Sequence, residues 1–366
     1  PAMACRFKSG SGYHLLITFK KMIEKKFFSN LKKAFLIAEI GVNHNGDMGL
    51  AKQMILAAKE SGADAVKFQT YTSESLVADG TPKVDYQKQT TNINETHFEM
   101  LKKLELSKDD HINLFNFCKT NEIIFLSTPY DVQNAKFLVN LGVNLFKTAS
   151  ADIVDHTLHN YIASTNIPSI IATGMASIEE IEEVVNIYRN NNNNNFILLH
   201  CVSNYPCSDE SLNMNAIHTI KNKFSCDIGY SDHSIGDMAA IISIAKGAKL
   251  IEKHFTLDKS MKGPDHKASS TPEEFKKLVN SVRRSEKILG NHSKKMQPEE
   301  LQMAQVSRKS IFLSQDLKRN DVLSELDLVL KRPGGGILGN KIHKICGMKL
   351  NCDLKKDHML DWDDLS

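Results

Sequence analysis

Short apolar runs alternate with amphipathic stretches between about Ala34 and Gly290. Eight of these runs are four or five residues long and carry few charges, which is typical of parallel strands buried on both faces. They are Phe35–Ala38, Ala65–Phe68, Ile123–Leu126, Leu145–Thr148, Ser169–Ala172, Phe196–His200, Asp227–Tyr230 and Leu250–Lys253. Helical periodicity fills the intervals, and capping residues such as Ser107, Ser177 and Thr271 precede three of the helical stretches.

Eight strand–helix units in about 257 residues match the size of a (β/α)8 TIM barrel, which we predict as the α/β fold of this region. A doubly wound open sheet is the alternative, because periodicity does not show whether a sheet closes. The Gly-x-Gly-x-x-Gly signature of dinucleotide-binding sheets is absent after the first run, which favours the barrel.

The character of the chain changes at both ends of this region. We expect residues 1–33 to be a loosely ordered leader and residues 34–290 to be the barrel. Polar residues 291–307 are typical of a linker, and the short runs and Gly-rich turns of residues 308–366 predict a small β-rich domain.

Composition excludes several classes of protein. Lys and Arg number 46 against 43 Asp and Glu, so the net charge of +3 creates no global field for nucleic acid or an anionic membrane. No apolar stretch approaches the roughly 20 residues of a membrane span. Seven scattered cysteines without a Cys-x-x-Cys pair favour reduced thiols, and we expect a cytoplasmic protein.

Polar residues follow the predicted strands at the end where the loops of a barrel converge. They are Glu39, Lys67, Gln69, Thr128, Lys147, Ser150, Asp152, Ser203, Tyr205, Ser231, His233 and His254, with Asp265 in the loop after the last strand. Such a set at successive strand ends predicts an active site at one mouth of the barrel.

Each group has a functional and a structural interpretation. Lys67 and Lys147 lie in apolar strands, where they form either a phosphate or carboxylate site or a structural ion pair. His233 and His254 end consecutive strands and are either ligands of a divalent metal or hydrogen-bonded core residues. Glu39 is a candidate general base or the partner of a lysine. His44 is either a third metal ligand or a loop-fixing residue.

Seven motifs together resemble the sialic acid synthase family, which includes the legionaminic acid synthases. The motifs are Ile37–Gly46, Val66–Thr70, Ser127–Pro129, Gly229–His233, Glu252–Thr256, Gly263–His266 and Lys331–Gly334. The resemblance runs from about Phe35 to the C-terminus and keeps the order of the family's motifs.

This resemblance implies a TIM barrel followed by an antifreeze-like (SAF) domain, assembled as a domain-swapped homodimer. It implies a transferase that condenses phosphoenolpyruvate with an open-chain N-acetylmannosamine-type sugar to a nine-carbon 2-keto acid and phosphate. We expect N-acetylneuraminate as the product. The alternative is N,N'-diacetyllegionaminate, made from a 2,4-diacetamido-trideoxymannose.

The resemblance also implies roles for individual residues. His233 and His254 match the ligands of Mn²⁺ or Mg²⁺, and Glu39 matches the carboxylate that handles the attacking water. The residues that match phosphoenolpyruvate contacts are Lys67, Thr128, Lys147, Ser150 and Ser231. Those that match groups around the sugar are Gln69, Asp152, Tyr205 and Asp265, with Arg332 reaching the N-acyl group from the partner subunit.

Three positions depart from some members of the family. Ala172 stands where some members have a serine, so one hydroxyl is missing from the phosphate region. Ser203 stands where some members have an asparagine that contacts phosphoenolpyruvate. Asp152 stands where some members have a glutamate, and its side chain is one methylene shorter.

Two hypotheses of other classes stay open: a lyase that uses Lys67 or Lys147 as a Schiff-base nucleophile, and a carbohydrate- or ice-binding protein with an inactive barrel.

Overall fold

In a computed structural model that describes residues 27–78, 80–91 and 94–366, each predicted apolar run forms a strand. The strands are β1 (Phe35–Gly41), β2 (Ala65–Thr70), β3 (Ile124–Pro129), β4 (Phe146–Thr148), β5 (Ser169–Ala172), β6 (Phe196–Cys201), β7 (Asp227–Asp232) and β8 (Leu250–His254). They form a parallel sheet in the order β3-β2-β1-β8-β7-β6-β5-β4, and the end strands β3 and β4 lie side by side. The predicted barrel is therefore confirmed, and the open sheet is wrong.

Helices connect the strands of the barrel. They are α1 (Met48–Glu60), α2 (Ser73–Leu76), α3 (Asp85–Thr90), α4 (His97–Leu104), α5 (Lys108–Thr120), α6 (Val132–Leu141), α7 (His156–Ser164), α8 (Ile178–Asn190), α9 (Ala216–Phe224), α10 (Met238–Ala245) and α11 (Pro272–Leu289). Short 3₁₀ helices lie at Ser150–Val154, Asp209–Ser211 and His266–Ala268. The connection from β2 to β3 contains α2 to α5, so it carries an insertion before the usual crossover helix.

The predicted helix starts are present. Ser107, Ser177 and Thr271 each accept a hydrogen bond from the backbone N–H three residues later, and the acidic residue at that position bonds back to the backbone of the cap. Such reciprocal capping satisfies backbone donors that a helix leaves free at its first turn.

Alternation along the strands separates two hydrophobic layers. In β1, Leu36 and Ala38 pack outward against the helices, whereas Phe35 and Ile37 pack in the barrel interior. The next inward residue is Glu39, so the interior turns polar at the C-terminal end of the strand. The same change occurs from Ala65 to Lys67, Leu126 to Thr128, Leu145 to Lys147 and Leu250 to Glu252. A packed apolar floor therefore supports a polar mouth.

The segment before the first strand differs from our expectation of a leader up to residue 33. Residues 1–26 lie outside the described residues, but Phe27 and Phe28 are 4% and 1% exposed. The two rings contact each other edge to face, and Phe27 also contacts Phe35 inside the barrel. Because the pair joins the interior cluster, residues 27 and 28 belong to the barrel core.

The chain divides into two compact units after Gly290. In the second unit, β9 (Ser310–Leu313) pairs antiparallel with β10 (Leu328–Lys331). Its own core includes Ile311, Leu350 and Leu360. The remaining elements are α12 (Leu301–Ser307), α13 (Ile342–Ile345) and 3₁₀ helices at Pro298–Glu300, Glu325–Asp327, Gly339–Lys341 and Trp362–Asp364.

The expected linker, residues 291–307, contains helical structure rather than being irregular throughout, since α12 forms its last seven residues. None of the α12 side chains is buried, which explains why the sequence pattern gives little sign of it. Among the described residues, none of the helices combines the length and the hydropathy that crossing a bilayer needs.

Truncation of Phe28 tests whether the N-terminal segment closes the barrel interior. We expect Phe28→Ala to lower the free energy of unfolding by about 3–5 kcal/mol, because it leaves a cavity in a packed core. The measurement is urea denaturation followed by circular dichroism. Lys33→Ala, at an exposed position of the same segment, is the control and should leave the midpoint unchanged. Equal midpoints for the two variants would contradict the assignment of Phe28 to the core.

Candidate active site

A cavity of about 490 Å³ opens at the C-terminal ends of the barrel strands. Twelve of the fourteen residues predicted from the sequence line it. They are Glu39, Lys67, Gln69, Thr128, Lys147, Ser150, Ser203, Tyr205, Ser231, His233, His254 and Asp265. The structure therefore brings most of the predicted set to one place, as the strand-end pattern required.

Strand register sets the order of the charged groups on the floor of the cavity. Glu39 of β1 is opposite Lys67 of β2 on one side and His254 of β8 on the other. Lys67 Nζ lies 3.0 Å from Glu39 Oε2 and 3.2 Å from Thr128 Oγ1. Gln69 Nε2 donates to Glu39 Oε1 at 3.5 Å. On the sheet, Glu39 therefore lies between the strand positions of Lys67 and His254.

Glu252 is the buried carboxylate that joins both lysines. Its Oε1 lies 3.4 Å from Lys147 Nζ and accepts a hydrogen bond from Ser231 Oγ at 3.0 Å. Its Oε2 lies 3.7 Å from Lys67 Nζ. The two ammonium groups are ion-paired and also line the cavity. The structural ion pair and the anion-binding site that the sequence left open are therefore compatible.

The two carboxyl groups differ in acidity because their partners differ. Burial raises the pKa of Glu39 to about 7, against the opposing charge of Lys67. Burial also acts to raise the pKa of Glu252, but Lys147 and Lys67 together lower it to about 2. Glu252 is thus the fixed anion of the pair, whereas Glu39 is able to exchange a proton near neutral pH.

The lysines are also unequal. Burial acts to lower the pKa of Lys67, but Glu252 and Glu39 raise it above its usual value. Burial lowers the pKa of Lys147, against the opposing charge of Glu252, whose Oε1 lies 3.4 Å from the ammonium nitrogen. Lys67 is therefore held firmly as a cation, and Lys147 depends on Glu252 for its charge.

His233 and His254 line the same cavity, and their ring centroids are 5.6 Å apart. His233 Nδ1 lies 2.7 Å from the Val202 carbonyl oxygen, which fixes this nitrogen as the donor and leaves Nε2 with its lone pair. Burial lowers the pKa of both imidazoles, and that of His254 falls well below its usual value. His254 Nδ1 is buried, has no hydrogen-bond partner among the residues that the structure describes, and lies 4.0 Å from Asp265 Oδ2.

These features fit a divalent cation held by two protein ligands. Metal-binding histidines are neutral and commonly donate their second ring N–H to a carbonyl, as His233 does. In the described part of the chain, no set of three or more His, Cys, Asp or Glu side chains forms a metal cluster. A cation bound here would therefore keep positions for water and substrate.

A glycine permits close approach of hydroxyl groups on another side of the cavity. Gly174 N donates to Ser150 Oγ at 3.0 Å. A Cβ atom at Gly174 would lie only 2.4 Å from Ser203 Oγ and 2.8 Å from Ser150 Oγ, so a larger residue does not fit without displacement. Ala172 also lines the cavity, as expected of the position that lacks the family's hydroxyl.

Asp152 and Arg332 are not among the residues that line this cavity. Asp152 lies in the 3₁₀ helix after β4, where burial and the neighbouring Asp155 raise its pKa to about 7. Arg332 directly follows β10 in the second unit. The sugar-contact roles of both residues stay predictions.

His44 has a structural position. It is 1% exposed, its Nδ1 accepts a hydrogen bond from Gly46 N at 3.0 Å, and it does not line the cavity. Of the two interpretations left by the sequence, the structure supports the loop-fixing one.

Sequence reasoning missed Glu252 as a site residue, although it is the first residue of the Glu252–Thr256 motif. The signal that identifies it is strand alternation, because Glu252 is two residues before His254 and therefore faces the same side of β8. Reasoning from strand ends alone also missed Tyr130 and the apolar side chains that line the outer part of the cavity.

Comparison with known proteins decides the family. The model of the NeuB family matches residues 54–294, and that of the SAF domain matches residues 308–366. The chain belongs to the NeuB family. Its fold is the TIM barrel of that family followed by a SAF domain, as the sequence motifs predicted.

Named relatives indicate the class of enzyme. The chain is 43% identical to the N,N'-diacetyllegionaminic acid synthase of Legionella pneumophila subsp. pneumophila, over 90% of this chain and 94% of that protein. It is 40% identical to the N,N'-diacetyllegionaminic acid synthase of Campylobacter jejuni subsp. jejuni, over 90% and 99%. This NeuB-family chain is therefore an enzyme of the nonulosonic acid synthase type.

A solved structure agrees with this assignment. The N-acetylneuraminic acid (sialic acid) synthetase from Leptospira borgpetersenii serovar Hardjo-bovis, solved in complex with citrate, matches with a TM-score of 0.68 and 38% identity. The match covers 74% of this chain and 90% of that one.

Removal of the Glu252 charge tests whether it holds the two lysines. We expect Glu252→Gln to destabilise the protein by about 3–5 kcal/mol, because it leaves buried ammonium groups without their shared partner. Inorganic phosphate should stabilise this variant more than the unaltered protein, because the anion replaces the lost charge. Thermal denaturation with and without phosphate measures both effects.

The matched control is Glu273→Gln, which removes an exposed charge from the start of α11. It should change stability by less than about 1 kcal/mol and leave the response to phosphate unaltered. Identical behaviour of the two variants would contradict the role of Glu252 as the common partner of the lysines.

Proposed function

We propose that the chain is a transferase that condenses phosphoenolpyruvate with an open-chain N-acyl mannosamine-type sugar, releasing phosphate and a nine-carbon 2-keto acid. The observation that carries this proposal is the combination in one cavity of two buried lysines, two neutral histidines and a carboxyl group with a raised pKa. The lysines suit an anionic donor, the histidines suit a cation that activates an aldehyde acceptor, and the carboxyl group suits proton transfer from water.

The lysine side of the cavity is the proposed phosphoenolpyruvate site. Lys67 and Lys147 supply positive charge, and Thr128 and Ser150 supply hydroxyl donors. Ser231, whose hydroxyl donates to Glu252, lines the same cavity as a further proposed contact. Charge-assisted hydrogen bonds to phosphate and carboxylate oxygens are strong, and burial increases their strength. Ser203 adds a hydroxyl close to Ser150 and, in our proposal, replaces the asparagine contact of other members.

The reaction forms a carbon–carbon bond and breaks a carbon–oxygen bond. The double-bond electrons of phosphoenolpyruvate attack the sugar aldehyde carbon, and the aldehyde oxygen gains a proton. Water then adds to the electron-poor second carbon of the phosphoenolpyruvate unit and loses a proton. The hydroxyl group left on that carbon gives its proton to the departing phosphate as the bond to the phosphate oxygen breaks. Phosphate leaves with the electron pair of that bond, and a ketone forms.

Glu39 is the proposed acceptor of the proton from water. It lies beside Lys67 on the floor of the cavity, and its pKa of about 7 allows it to receive and release a proton under mild conditions. Glu252, which stays ionised, is less suited to this step and instead holds Lys67, Lys147 and Ser231 in place.

His233 and His254 are the proposed ligands of Mn²⁺ or Mg²⁺. When bound, the cation would supply Lewis acidity to the sugar aldehyde oxygen. Gln69, Tyr205 and Asp265 line the same cavity and are the proposed contacts for the sugar hydroxyl and amide groups.

Two proposals rest on the family resemblance. The first is the sugar: N,N'-diacetyllegionaminate is a better supported product than the N-acetylneuraminate that we first expected, because relatives at 43% and 40% identity are named for it. The second is a homodimer in which Arg332 of the partner subunit contacts the N-acyl group.

Substitution of His254 tests the proposed chemistry. We expect His254→Ala to abolish metal-dependent release of phosphate from phosphoenolpyruvate in the presence of sugar, because one of two cation ligands is lost. Cation binding, measured by calorimetry, should weaken in parallel. The unaltered protein is also incubated with a panel of N-acyl mannosamines. Mass spectrometry of the products then identifies the sugar that the protein uses.

Lys287→Ala, on α11 and remote from the histidines in sequence, is the control and should retain full activity. Undiminished activity of His254→Ala, or of the unaltered protein after exhaustive chelation, would contradict the metal role. A covalent lysine adduct after borohydride treatment with a 2-keto acid would favour the Schiff-base lyase instead.

A further inference from the structure

Two asparagines follow β1 in the Ile37–Gly46 motif, and neither lines the candidate active-site cavity. Asn43 is fully buried, and Asn45 is half-buried with a φ of 53°. Both side chains bond to the loop that follows β8, which carries Asp265. Because the first and last strands of the barrel are neighbours, the loops that follow them begin side by side.

Asn43 holds both ends of the loop after β8. Its Nδ2 donates to the Phe255 carbonyl oxygen at 2.9 Å and to Ser269 Oγ at 2.8 Å. A carbonyl oxygen only accepts hydrogen bonds, so the atom that faces it is the amide nitrogen, and both of its hydrogens are used. Asn43 Oδ1 is buried and has no hydrogen-bond partner in the described part of the chain. The amide therefore acts through its two donors.

Backbone hydrogen bonds close the base of this loop. Ser270 N donates to the His254 carbonyl oxygen at 2.8 Å, and Phe255 N donates to that of Glu39 at 2.7 Å. The segment between Phe255 and Ser270 therefore leaves the barrel and returns to it at one point. That point lies beside two residues of the candidate active site.

Ser269 connects Asn43 to Asp265. Its hydroxyl accepts the hydrogen bond from Asn43 and donates to the Asp265 carbonyl oxygen at 2.7 Å. Asp265 lines the cavity, and its Oδ2 lies 4.0 Å from His254 Nδ1. Two successive hydrogen bonds thus join a buried amide outside the cavity to the backbone of a residue inside it.

Further hydrogen bonds hold the middle of the loop. Asn45 Nδ2 donates to the Lys262 carbonyl oxygen at 3.0 Å, and Asn45 Oδ1 lies 3.3 Å from His266 Nε2. Thr90 Oγ1, at the end of α3, donates to the Pro264 carbonyl oxygen at 3.3 Å. The loop is therefore fixed along its length, and the residue that it presents to the cavity has a defined backbone position.

We propose that Asn43 and Ser269 are positioning residues that set the place of Asp265 in the active site. Both are buried and neither lines the cavity, so they act through the backbone of Asp265. This role rests on the proposed function, in which Asp265 contacts the sugar. Loss of the Ser269 hydroxyl therefore impairs use of the sugar and leaves phosphoenolpyruvate, on the lysine side of the cavity, unaffected.

Ser269→Ala tests this connection with little disturbance, because it keeps the bond from Asn43 to Phe255. We expect kcat/KM for the sugar to fall by about 10-fold at saturating phosphoenolpyruvate, as for the loss of one buried hydrogen bond. The KM for phosphoenolpyruvate should stay unchanged. Asn43→Leu removes both donors and should cause a larger loss. Phosphate release is measured with 2,4-diacetamido-trideoxymannose and, in parallel, with N-acetylmannosamine.

A double-mutant cycle with Asp265→Ala distinguishes positioning from a general loss of structure. Asp265→Ala alone should lower kcat/KM for the sugar by at least about 10-fold, because a contact with a charged group is lost. If Ser269 acts through Asp265, the double variant falls no more than about 2-fold below Asp265→Ala. Losses that multiply, or an equal change in the KM for phosphoenolpyruvate, would overturn the inference.

The matched control is Ser260→Ala in the same loop. Ser260 is exposed, and its hydroxyl donates to Asp258 Oδ1 at 2.8 Å rather than to a residue of the cavity. This variant should keep the kinetics of the unaltered protein. Thermal denaturation shows which variants are folded, and Ser269→Ala decides the test if Asn43→Leu is not.

The outcomes separate this inference from the proposed function. Equal kinetics of Ser269→Ala and Ser260→Ala would overturn the inference while the proposed reaction stands. An unaltered kcat/KM for the sugar in Asp265→Ala would overturn the inference together with the sugar contact of Asp265. Absence of phosphate release by the unaltered protein with either sugar would overturn the proposed function and, with it, the inference.

Discussion

The site depends on the burial of Glu252 between two lysines. Ion pairs are costly to bury, and a lysine inside a barrel keeps its charge only if an anion lies close to it. Glu252 meets that need for Lys147 and, together with Glu39, for Lys67. It also accepts the hydroxyl hydrogen of Ser231. One carboxylate of β8 thus organises side chains from β2, β4 and β7.

The shared pairing also explains why two similar carboxyl groups differ. Lys67 Nζ is closer to Glu39 than to Glu252, yet the pKa of Glu252 is the one held low. The difference arises because Glu252 has a second cation in Lys147. Burial raises the pKa of Glu39, and the charge of Glu252 adds to this effect against the opposing charge of Lys67. This makes Glu39 the better suited of the two carboxyl groups to exchange a proton. Separation of acidities by unequal partners is a general way to divide roles between neighbouring carboxyl groups.

Much of this arrangement follows from sequence pattern. Closed βα repeats place strand ends at one mouth, so Glu39, Lys67, Lys147 and the histidines were predictable from their positions after apolar runs. Glu252 was not found in this way, because its importance lies in contacts with residues on other strands. The burial of Phe27 and the apolar side chains that line the outer part of the cavity were missed for a related reason. Both depend on packing between segments that are distant in sequence, which local periodicity does not report.

In the proposed reaction, water attacks the second carbon of phosphoenolpyruvate on the floor of this cavity, and phosphate leaves by carbon–oxygen cleavage. Phosphoenolpyruvate labelled with ¹⁸O at the bridging oxygen tests it directly, by mass spectrometry of the released phosphate after turnover with the sugar. We expect the label to appear in the released phosphate. Unlabelled phosphate, with the ¹⁸O retained on the carbon product, would contradict it.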